Sequence, residues 1–237
     1  MTEETMYGQF CPVAKASEIL TTRWTPLIMR ELISGSHRFN EIHRGVPLMS
    51  RALLSKRLKD LEKMNVIERV QTKKSDSAEY HLTVSGKELR PIIVAMGVWG
   101  TRWLESNRES NEWDAGVLMW DIRRRLDLDA MPNRERTVLH FDYSDTPSEL
   151  RLWWVVVEDG EVDLCQSDPG YEVNLYFYST VYTIANIWMG KLNLDHALDD
   201  ERLVVQGDLD LEKSMKSWFQ LSVLVEATER YEAQLAR

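Results

Sequence analysis

The segment RFNEIHRGVPLMSRALLSKRLKDLEKMNVIERVQTKKSDSAEYHLT, residues 38–83, decides the fold of the N-terminal half of the chain. Its apolar periodicity and turn residues predict a short helix over 39–44, a tight turn, a second helix over 51–64 and a β-hairpin around residues 73–77. Two helices joined by a turn and followed by a hairpin are the elements of a winged helix-turn-helix, which places one helix in a DNA groove and the hairpin beside it. The segment therefore predicts a nucleic-acid-binding domain.

The helix predicted over 51–64 has an apolar side and a cationic side. Ser50 is a good N-cap for it, and its apolar stripe consists of leucines at helical spacing, namely Leu54, Leu58 and Leu61. The opposite face carries small, hydroxyl-bearing and cationic side chains, namely Ala52, Ser55, Lys56, Lys59 and Lys63. Arginine can bond guanine bidentately, and lysines suit phosphates. We therefore expect the DNA contacts to come from Arg38, Ser50, Arg51, Ser55, Lys56, Lys59, Lys73 and Lys74.

The net charge is −9 over 237 residues, but the two halves of the chain differ in sign. Residues 1–105 contain 16 Lys and Arg against 12 Asp and Glu, whereas residues 106–237 contain 13 against 26. Within residues 38–74 there are ten basic residues and four acidic ones. This asymmetry favours a polyanion-binding module joined to an acidic domain. A solvated basic face is the alternative.

The length of the chain fits two modest domains or one large one. Residues 105–112 are polar and predict a linker, so we expect a DNA-binding and dimerisation domain over 1–106 and a second domain over 107–237. The second domain mixes helical and strand patterns, with a strong hairpin signal at Glu158–Glu161, so the predicted fold class is α+β. No apolar run reaches the roughly 18 residues of a membrane span, and the N-terminus has no secretory signal pattern. We expect a cytoplasmic protein with no membrane partner.

A long apolar helix is predicted from Ser85 to Ser106, with Pro91 in an early turn or at a kink. Its apolar residues offer more surface than a small domain can cover alone. We expect a second copy of the chain to bury this surface, which predicts a homodimer.

Five short motifs resemble one known family. They are, in chain order, Cys11-Pro12, Arg23-Trp24-Thr25-Pro26-Leu27-Ile28, Arg38-Phe39-Asn40-Glu41-Ile42, Leu53-Leu54-Ser55-Lys56-Arg57-Leu58 and Tyr80-His81-Leu82-Thr83. Over about residues 11–104 the chain resembles the HxlR-type transcriptional regulators. The resemblance implies a dimeric winged-helix DNA-binding protein whose terminal helices form the dimer interface. The family usually has a Gly-Lys pair before its tryptophan, whereas this chain has Thr22-Arg23 and so lacks a permissive turn residue.

Cys11 is a redox candidate through the same resemblance, because some members sense oxidants or electrophiles through a cysteine at this position. Thiol reactivity needs exposure and surroundings that favour the thiolate, and Lys15 lies one helical turn away. The alternative is that Cys11 is a small apolar residue near the dimer interface.

The second half carries no catalytic signature. Its glycines form no dinucleotide fingerprint or nucleophile elbow, and the histidines of the chain show no metal-ligand spacing. His140 with Asp142, and Asp195 with His196, are more typical of structural or surface groups. We therefore expect no catalytic residue, no bound metal, no cofactor and no enzymatic activity.

Aromatic residues are dense in the second half, which predicts either a well-packed core or a hydrophobic pocket. The candidate ligand-binding residues are Trp120, Trp154, Tyr176, Tyr178, Trp188 and Met189. Four stretches (residues 153–160, 173–177, 184–190 and 203–208) resemble the sterol-carrier-protein-like domains. This second resemblance implies an α+β fold with helices on one side of a sheet, and a tunnel for an apolar ligand.

Together these features predict a dimeric transcriptional regulator, a repressor, that binds a pseudo-palindromic double-stranded operator. An apolar or aromatic small-molecule effector would bind the C-terminal domain and shift the dimer geometry. One alternative is a redox switch at Cys11 with a purely structural C-terminal domain. Another is a lipid carrier with a DNA-binding appendage.

Overall fold

The computed structural model describes residues 7–71, 78–104 and 113–235. The chain divides into two compact units, Met1–Gly97 and Val98–Arg237. None of the helices in the described ranges combines the length and the apolar character that crossing a bilayer requires.

The first unit contains the predicted helix-turn-helix and hairpin. Its elements are, in chain order, α1 (Pro12–Leu20), α2 (Thr25–Ile33), α3 (Phe39–Gly45), α4 (Arg51–Lys63), β1 (Ile67–Gln71), β2 (Ala78–Leu82), α5 (Val84–Glu88) and α6 (Arg90–Trp103), the last of which continues into the second unit. Strands β1 and β2 are antiparallel, with Ile67 opposite Leu82 and Gln71 opposite Ala78. The winged helix-turn-helix predicted from the sequence is confirmed.

The leucine stripe of α4 lies in the core of the first unit. Leu54 and Leu58 have no exposed surface, and Leu61 is almost completely buried. They share one cluster with apolar side chains of α2, α3 and β1, namely Ile28, Met29, Leu32, Ile42 and Ile67. Burial of each leucine stabilises the fold by about 1.5–3 kcal/mol. The stripe therefore fixes which side of α4 faces inward and leaves the cationic side facing solvent.

A buried carboxylate ties α2 to the end of α3. Glu31 has no exposed surface; its Oε1 accepts a hydrogen bond from Arg30 Nη2 at 3.0 Å, and its Oε2 accepts one from Ser36 Oγ at 3.2 Å. Arg30 Nη2 also donates to the carbonyl oxygen of Gly45 at 2.8 Å. A Cβ atom at Gly45 would overlap the carboxylate of Glu31, so any larger residue at this position would have to displace that carboxylate.

The turn before α2 adopts a left-handed conformation at Trp24, where φ is 78°. Thr22 and Arg23 do not have positive φ. The absence of glycine at position 22 therefore removes no conformational freedom that this backbone uses, contrary to the expectation from the sequence.

The single helix predicted from Ser85 to Ser106 is wrong, because the chain forms two helices with a break at Leu89. Pro91 has no N–H to donate to the carbonyl oxygen of Lys87, and its ring would clash with that carbonyl in a continuous helix. The N–H of Leu89 instead donates to the carbonyl oxygen of Gly86 at 3.2 Å. Pro91 lies in the first turn of α6, which begins at Arg90, as the first of its two predicted placements has it, and it does not kink a longer helix.

The second unit is an α+β structure. Its elements are α7 (Ala115–Arg123), β3 (Arg136–Tyr143), β4 (Leu152–Glu158), β5 (Glu161–Cys165), β6 (Leu175–Ser179), α8 (Val181–Trp188), α9 (Leu194–Asp199), β7 (Val204–Gly207), α10 (Leu209–Trp218) and α11 (Val223–Leu235). The strand order is β5-β4-β3-β6-β7, with β3 and β6 parallel and the other neighbours antiparallel. The predicted hairpin is confirmed between β4 and β5, where Asp159 and Gly160 both have positive φ.

The two faces of this sheet differ in what covers them, because side chains alternate along each strand. One face, which includes Phe141, Val155 and Phe177, packs in one cluster with residues of α7, α8 and α10. On the opposite face, Val138, Trp154 and Val156 form a separate cluster with strand and loop residues. We call this opposite face the outer face and define it by Val138, His140, Trp154, Val156, Cys165, Tyr176 and Tyr178.

Candidate functional site

Helix α4 presents a cationic face to solvent. Lys56, Lys59 and Lys63 are exposed together with the small residue Ala52, while Ser55 is partly buried. This is the face that the helical wheel predicts. A helix with its apolar stripe buried and a cationic side exposed has the form that enters the major groove of B-DNA.

Ser50 caps α4, as its position predicts. Its Oγ accepts a hydrogen bond from the backbone N–H of Leu53 at 3.3 Å. An N-cap hydroxyl uses its oxygen as the acceptor, so its hydrogen is left to donate to a ligand at the start of the helix.

Arg51 is held by two residues of α3. Its Nη2 donates to Asn40 Oδ1 at 2.7 Å, and its guanidinium carbon lies 5.0 Å from the ring centroid of Phe39. These contacts fix the direction of a flexible side chain at the first turn of α4. The sequence pattern does not predict them, because Asn40 and Phe39 lie eleven and twelve positions before Arg51, across the turn. No helical or strand periodicity connects such positions.

Arg38 precedes α3 and is exposed, as expected for a phosphate contact. Its Nε lies 3.5 Å from Glu79 Oε1 on β2. The Oε2 atom of Glu41 accepts hydrogen bonds from the backbone N–H groups of His37 and Arg38, each at 2.9 Å. The predicted hairpin-tip contacts, Lys73 and Lys74, lie outside the described residues.

Cys11 lies at the N-cap of α1 and carries a free, partly buried thiol. The backbone N–H of Lys15 donates to the carbonyl oxygen of Cys11 at 3.1 Å, which confirms that the two residues are one helical turn apart. The side chain of Lys15 is exposed.

Three of the six candidate ligand residues lie together on the outer face of the sheet. Trp154 is paired with His140, and His140 is paired with Tyr176, so these rings follow one another across three strands. The ring centroids of His140 and Trp154 are 4.7 Å apart, and those of His140 and Tyr176 are 5.5 Å apart. Tyr178 is stacked on Tyr176 at 6.2 Å and is 38% exposed. The outer face therefore presents an aromatic row that reaches solvent at Tyr178.

His140 is the titratable group at the centre of this row. Burial lowers its pKa below the usual value, although the nearby carboxylates Asp142 and Asp168 act in the opposite direction. Its Nδ1 atom is buried and has no hydrogen-bond partner among the described residues. The neutral imidazole is therefore favoured near neutral pH.

The other three candidate ligand residues lie elsewhere. Trp188 and Met189 pack against the main core on the helical side of the sheet. Trp120 on α7 is almost fully buried, and the guanidinium of Arg123 lies 4.8 Å from its ring centroid. Of the six predicted ligand residues, Trp154, Tyr176 and Tyr178 therefore share the outer face, whereas Trp120, Trp188 and Met189 do not lie on it. Within the described ranges, no group of three or more His, Cys, Asp or Glu residues is placed to hold a metal ion.

The chain is similar to known transcriptional regulators. A family model described as HxlR-like helix-turn-helix matches residues 19–108. The uncharacterized HTH-type transcriptional regulator YvaP of Bacillus subtilis is 41% identical over 100 residues, which are 41% of this chain and 93% of that protein. The HTH-type transcriptional regulator YodB of the same organism is 33% identical over 102 residues, which are 42% of this chain and 91% of that protein.

Among solved structures, the redox regulator HypR in its reduced form is 30% identical, with a TM-score of 0.37, and the match covers 39% of this chain and 92% of that one. The identity to YvaP over almost its whole length, together with the match to the family model, establishes the relationship. The chain belongs to the HxlR-like helix-turn-helix family of transcriptional regulators.

Proposed function

We propose that this protein is a dimeric repressor that binds a pseudo-palindromic operator through α4 and responds to an apolar or aromatic small molecule. The observation that carries the proposal is the exposed cationic face of α4, which starts at a capped N-terminus and at an arginine held in place by Asn40. Each protomer would place α4 in the major groove of one half-site.

The first test is binding of the full chain to a random-sequence duplex of about 40 base pairs, followed by fluorescence anisotropy. Six to ten phosphate contacts predict a loss of affinity of about 1,000-fold or more between about 50 mM and about 200 mM salt. Absence of binding at the lower salt concentration would contradict the proposal.

We expect the substitution Asn40→Ala to relax base preference without unfolding the protein. Asn40 is exposed, and without its oxygen Arg51 loses the hydrogen bond that directs its guanidinium. A well-placed bidentate arginine contributes about 1–3 kcal/mol of discrimination, so discrimination at the contacted guanine should fall about tenfold. The measurement compares binding to an operator duplex, obtained by selection, and to its single-base variants.

Asn40→Asp is the matched control, because it keeps the acceptor oxygen for Arg51. It should keep the base preference and weaken binding uniformly through its added negative charge. An unchanged preference in Asn40→Ala would assign Arg51 to a role other than base reading.

An exposed apolar stripe on α6 supports the proposed homodimer. Ile92, Met96, Trp99 and Trp103 follow one another at helical spacing, and their exposed fractions are 43%, 49%, 58% and 65%. Phe10, just before α1, is 95% exposed. An apolar surface of this kind is typical of an interface, and the terminal helices of the domain are the dimer elements that the HxlR resemblance implies.

Trp99→Glu is expected to convert the dimer to a monomer, because it buries an unpaired charge in the proposed interface. Sedimentation equilibrium of the full chain measures the effect. Leu209→Glu is the control, because Leu209 is similarly exposed (64%) but lies on α10. A Trp99→Glu variant that sediments as the wild type does would contradict this interface.

We propose the outer face as the effector site and a sterol-carrier-like character for the second unit. The mixed sheet with helices packed on one face supports that character. The aromatic row of Trp154, His140 and Tyr176 supplies an apolar surface of the kind that ligand sites favour. For regulation, the effector must bind one dimer geometry more tightly than the other by a few kcal/mol.

Mass spectrometry of small molecules that copurify with the full chain tests the effector. Addition of operator DNA should change the affinity for that molecule, and the molecule should change the affinity for DNA by the same factor. A protein that extracts lipid from vesicles equally with and without DNA would instead be a carrier with a DNA-binding appendage.

Regulation through Cys11 is the alternative, which its free thiol at a helix N-terminus favours. The Cys11→Ser variant separates the two mechanisms. If oxidants weaken operator binding in the wild type but not in Cys11→Ser, the switch acts through this thiol; equal responses would exclude it.

A further inference from the structure

A cleft lined by three arginines lies between α3 and the β-hairpin. Its volume is about 490 Å³. Arg38, Asn40 and Arg44 line it from the side of α3, and Arg69 and Tyr80 line it from the hairpin. Arg69 is directly opposite Tyr80 in the β1–β2 register, so both side chains lie on the same face of the hairpin. The two elements therefore enclose a concave surface that neither forms alone.

The charge of this cleft favours an anion. Its lining contains three guanidinium groups and one carboxylate, that of Glu41, and one of the three guanidinium groups, that of Arg38, is also paired with Glu79 on β2. Glu41 Oε2 already accepts two backbone hydrogen bonds at the start of α3. Guanidinium groups bind phosphate oxygens with paired hydrogen bonds, in a geometry that lysine does not offer.

The cleft borders the surface that carries α4. Asn40 lines the cleft and also accepts the hydrogen bond from Arg51 at the first turn of α4. In B-DNA, a sugar–phosphate strand separates the major groove from the adjacent minor groove. If α4 occupies the major groove and the hairpin lies at the neighbouring minor groove, that strand passes between α4 and the hairpin, along the surface that the cleft borders.

We infer that this cleft binds a phosphodiester group of the DNA strand that separates the two grooves, with Arg38, Arg44 and Arg69 as its ligands. The inference rests on the proposed DNA-binding function and adds Arg44 and Arg69 to the interface. These residues fix the position of α4 along the duplex and carry no base information, since phosphates are the same in every sequence.

The experiment compares the full-length wild type with the Arg44→Ala/Arg69→Ala double variant on an operator duplex obtained by selection. Affinity should fall about tenfold, and the slope of log affinity against log salt should fall by about one for each half-site. The ranking of single-base operator variants should stay the same. Lys87→Ala is the control, because Lys87 is an exposed cation on α5 outside the cleft; it should leave affinity and slope unchanged.

A neutral methylphosphonate placed at single positions of the duplex identifies the bound phosphate. One position between the two grooves should weaken binding of the wild type, and should weaken binding of the double variant much less, because only Arg38 of the three ligands remains there. Circular dichroism shows whether the double variant folds. If it does not, Arg69→Gln alone replaces it in both measurements, because Arg69 is at an exposed strand position.

The outcomes separate this inference from the proposed function. If both cleft variants bind with the affinity and the salt slope of the wild type, the inference is wrong, while the proposed DNA-binding function still stands. A changed base ranking would overturn it by making the cleft a base-reading site. If the wild-type chain binds no duplex, both the inference and the proposed function are wrong.

Discussion

Reversal of two charges on α4, Lys56→Glu together with Lys59→Glu, is expected to weaken operator binding by at least about 1,000-fold. Each wild-type lysine that neutralises a phosphate releases counterions, and a glutamate in its place repels the backbone instead. Both changes recur in each protomer of the proposed dimer, so four reversed charges would face one duplex. Fluorescence anisotropy on the selected operator measures the loss.

Stability should change little in this variant, because both lysines are exposed while the leucine stripe on the other side of α4 is untouched. Lys87→Glu reverses an exposed charge on α5 and should leave binding within a few-fold of the wild type. If the double reversal on α4 also stays within about tenfold, α4 is not the DNA-contacting helix.

Gly45→Ala is expected to lower the free energy of unfolding of the first unit by about 3 kcal/mol or more. The added methyl group would occupy the position of the buried Glu31 carboxylate, which has no exposed surface. Overpacking costs about 1–3 kcal/mol, and displacing the carboxylate from Arg30 and Ser36 leaves a buried charge without its partners. Urea unfolding of the full chain, followed by circular dichroism, measures the change.

Gly100→Ala is the matched control, because a Cβ atom there meets no neighbour within 4 Å. Alanine is favoured over glycine inside a helix by about 0.5–1 kcal/mol, so this variant should be as stable as the wild type or slightly more so. Equal unfolding curves for Gly45→Ala and the wild type would show that the contact between α3 and Glu31 relaxes easily.

The features that local patterns encode could be predicted from the sequence. The leucines of α4 recur at helical spacing, and helical geometry alone then places Lys56 and Lys59 on the exposed side. The hairpin between β4 and β5 followed from Asp159-Gly160, because this pair readily adopts the positive φ that the tight turn requires.

The features that depend on distant residues could not be predicted. No periodicity connects Arg51 with Asn40 and Phe39, or Glu31 with Gly45, since these contacts exist only after the helices pack. The break at Leu89 is different, because Pro91 marks it in the sequence. A longer apolar pattern from Ser85 to Ser106 led to the wrong prediction of one helix.

The sequence encodes only part of how the aromatic residues are distributed between the two faces of the sheet. Trp153 and Trp154 are neighbours on β4, so strand alternation places them on opposite faces of the sheet. Which face receives the helices depends on the strand order and on the parallel pairing of β3 with β6. The placement of Trp188 and Met189 on the other side of the sheet from Trp154 therefore needed the three-dimensional fold.

Selection of duplexes from a fully random pool by the full-length chain tests the proposed mode of DNA recognition most directly. Two copies of α4 related by a two-fold axis predict an enriched inverted repeat, with half-site centres about 10 base pairs or a multiple of this apart, and two chains per duplex. An asymmetric consensus, a single chain per duplex, or no enrichment would contradict it.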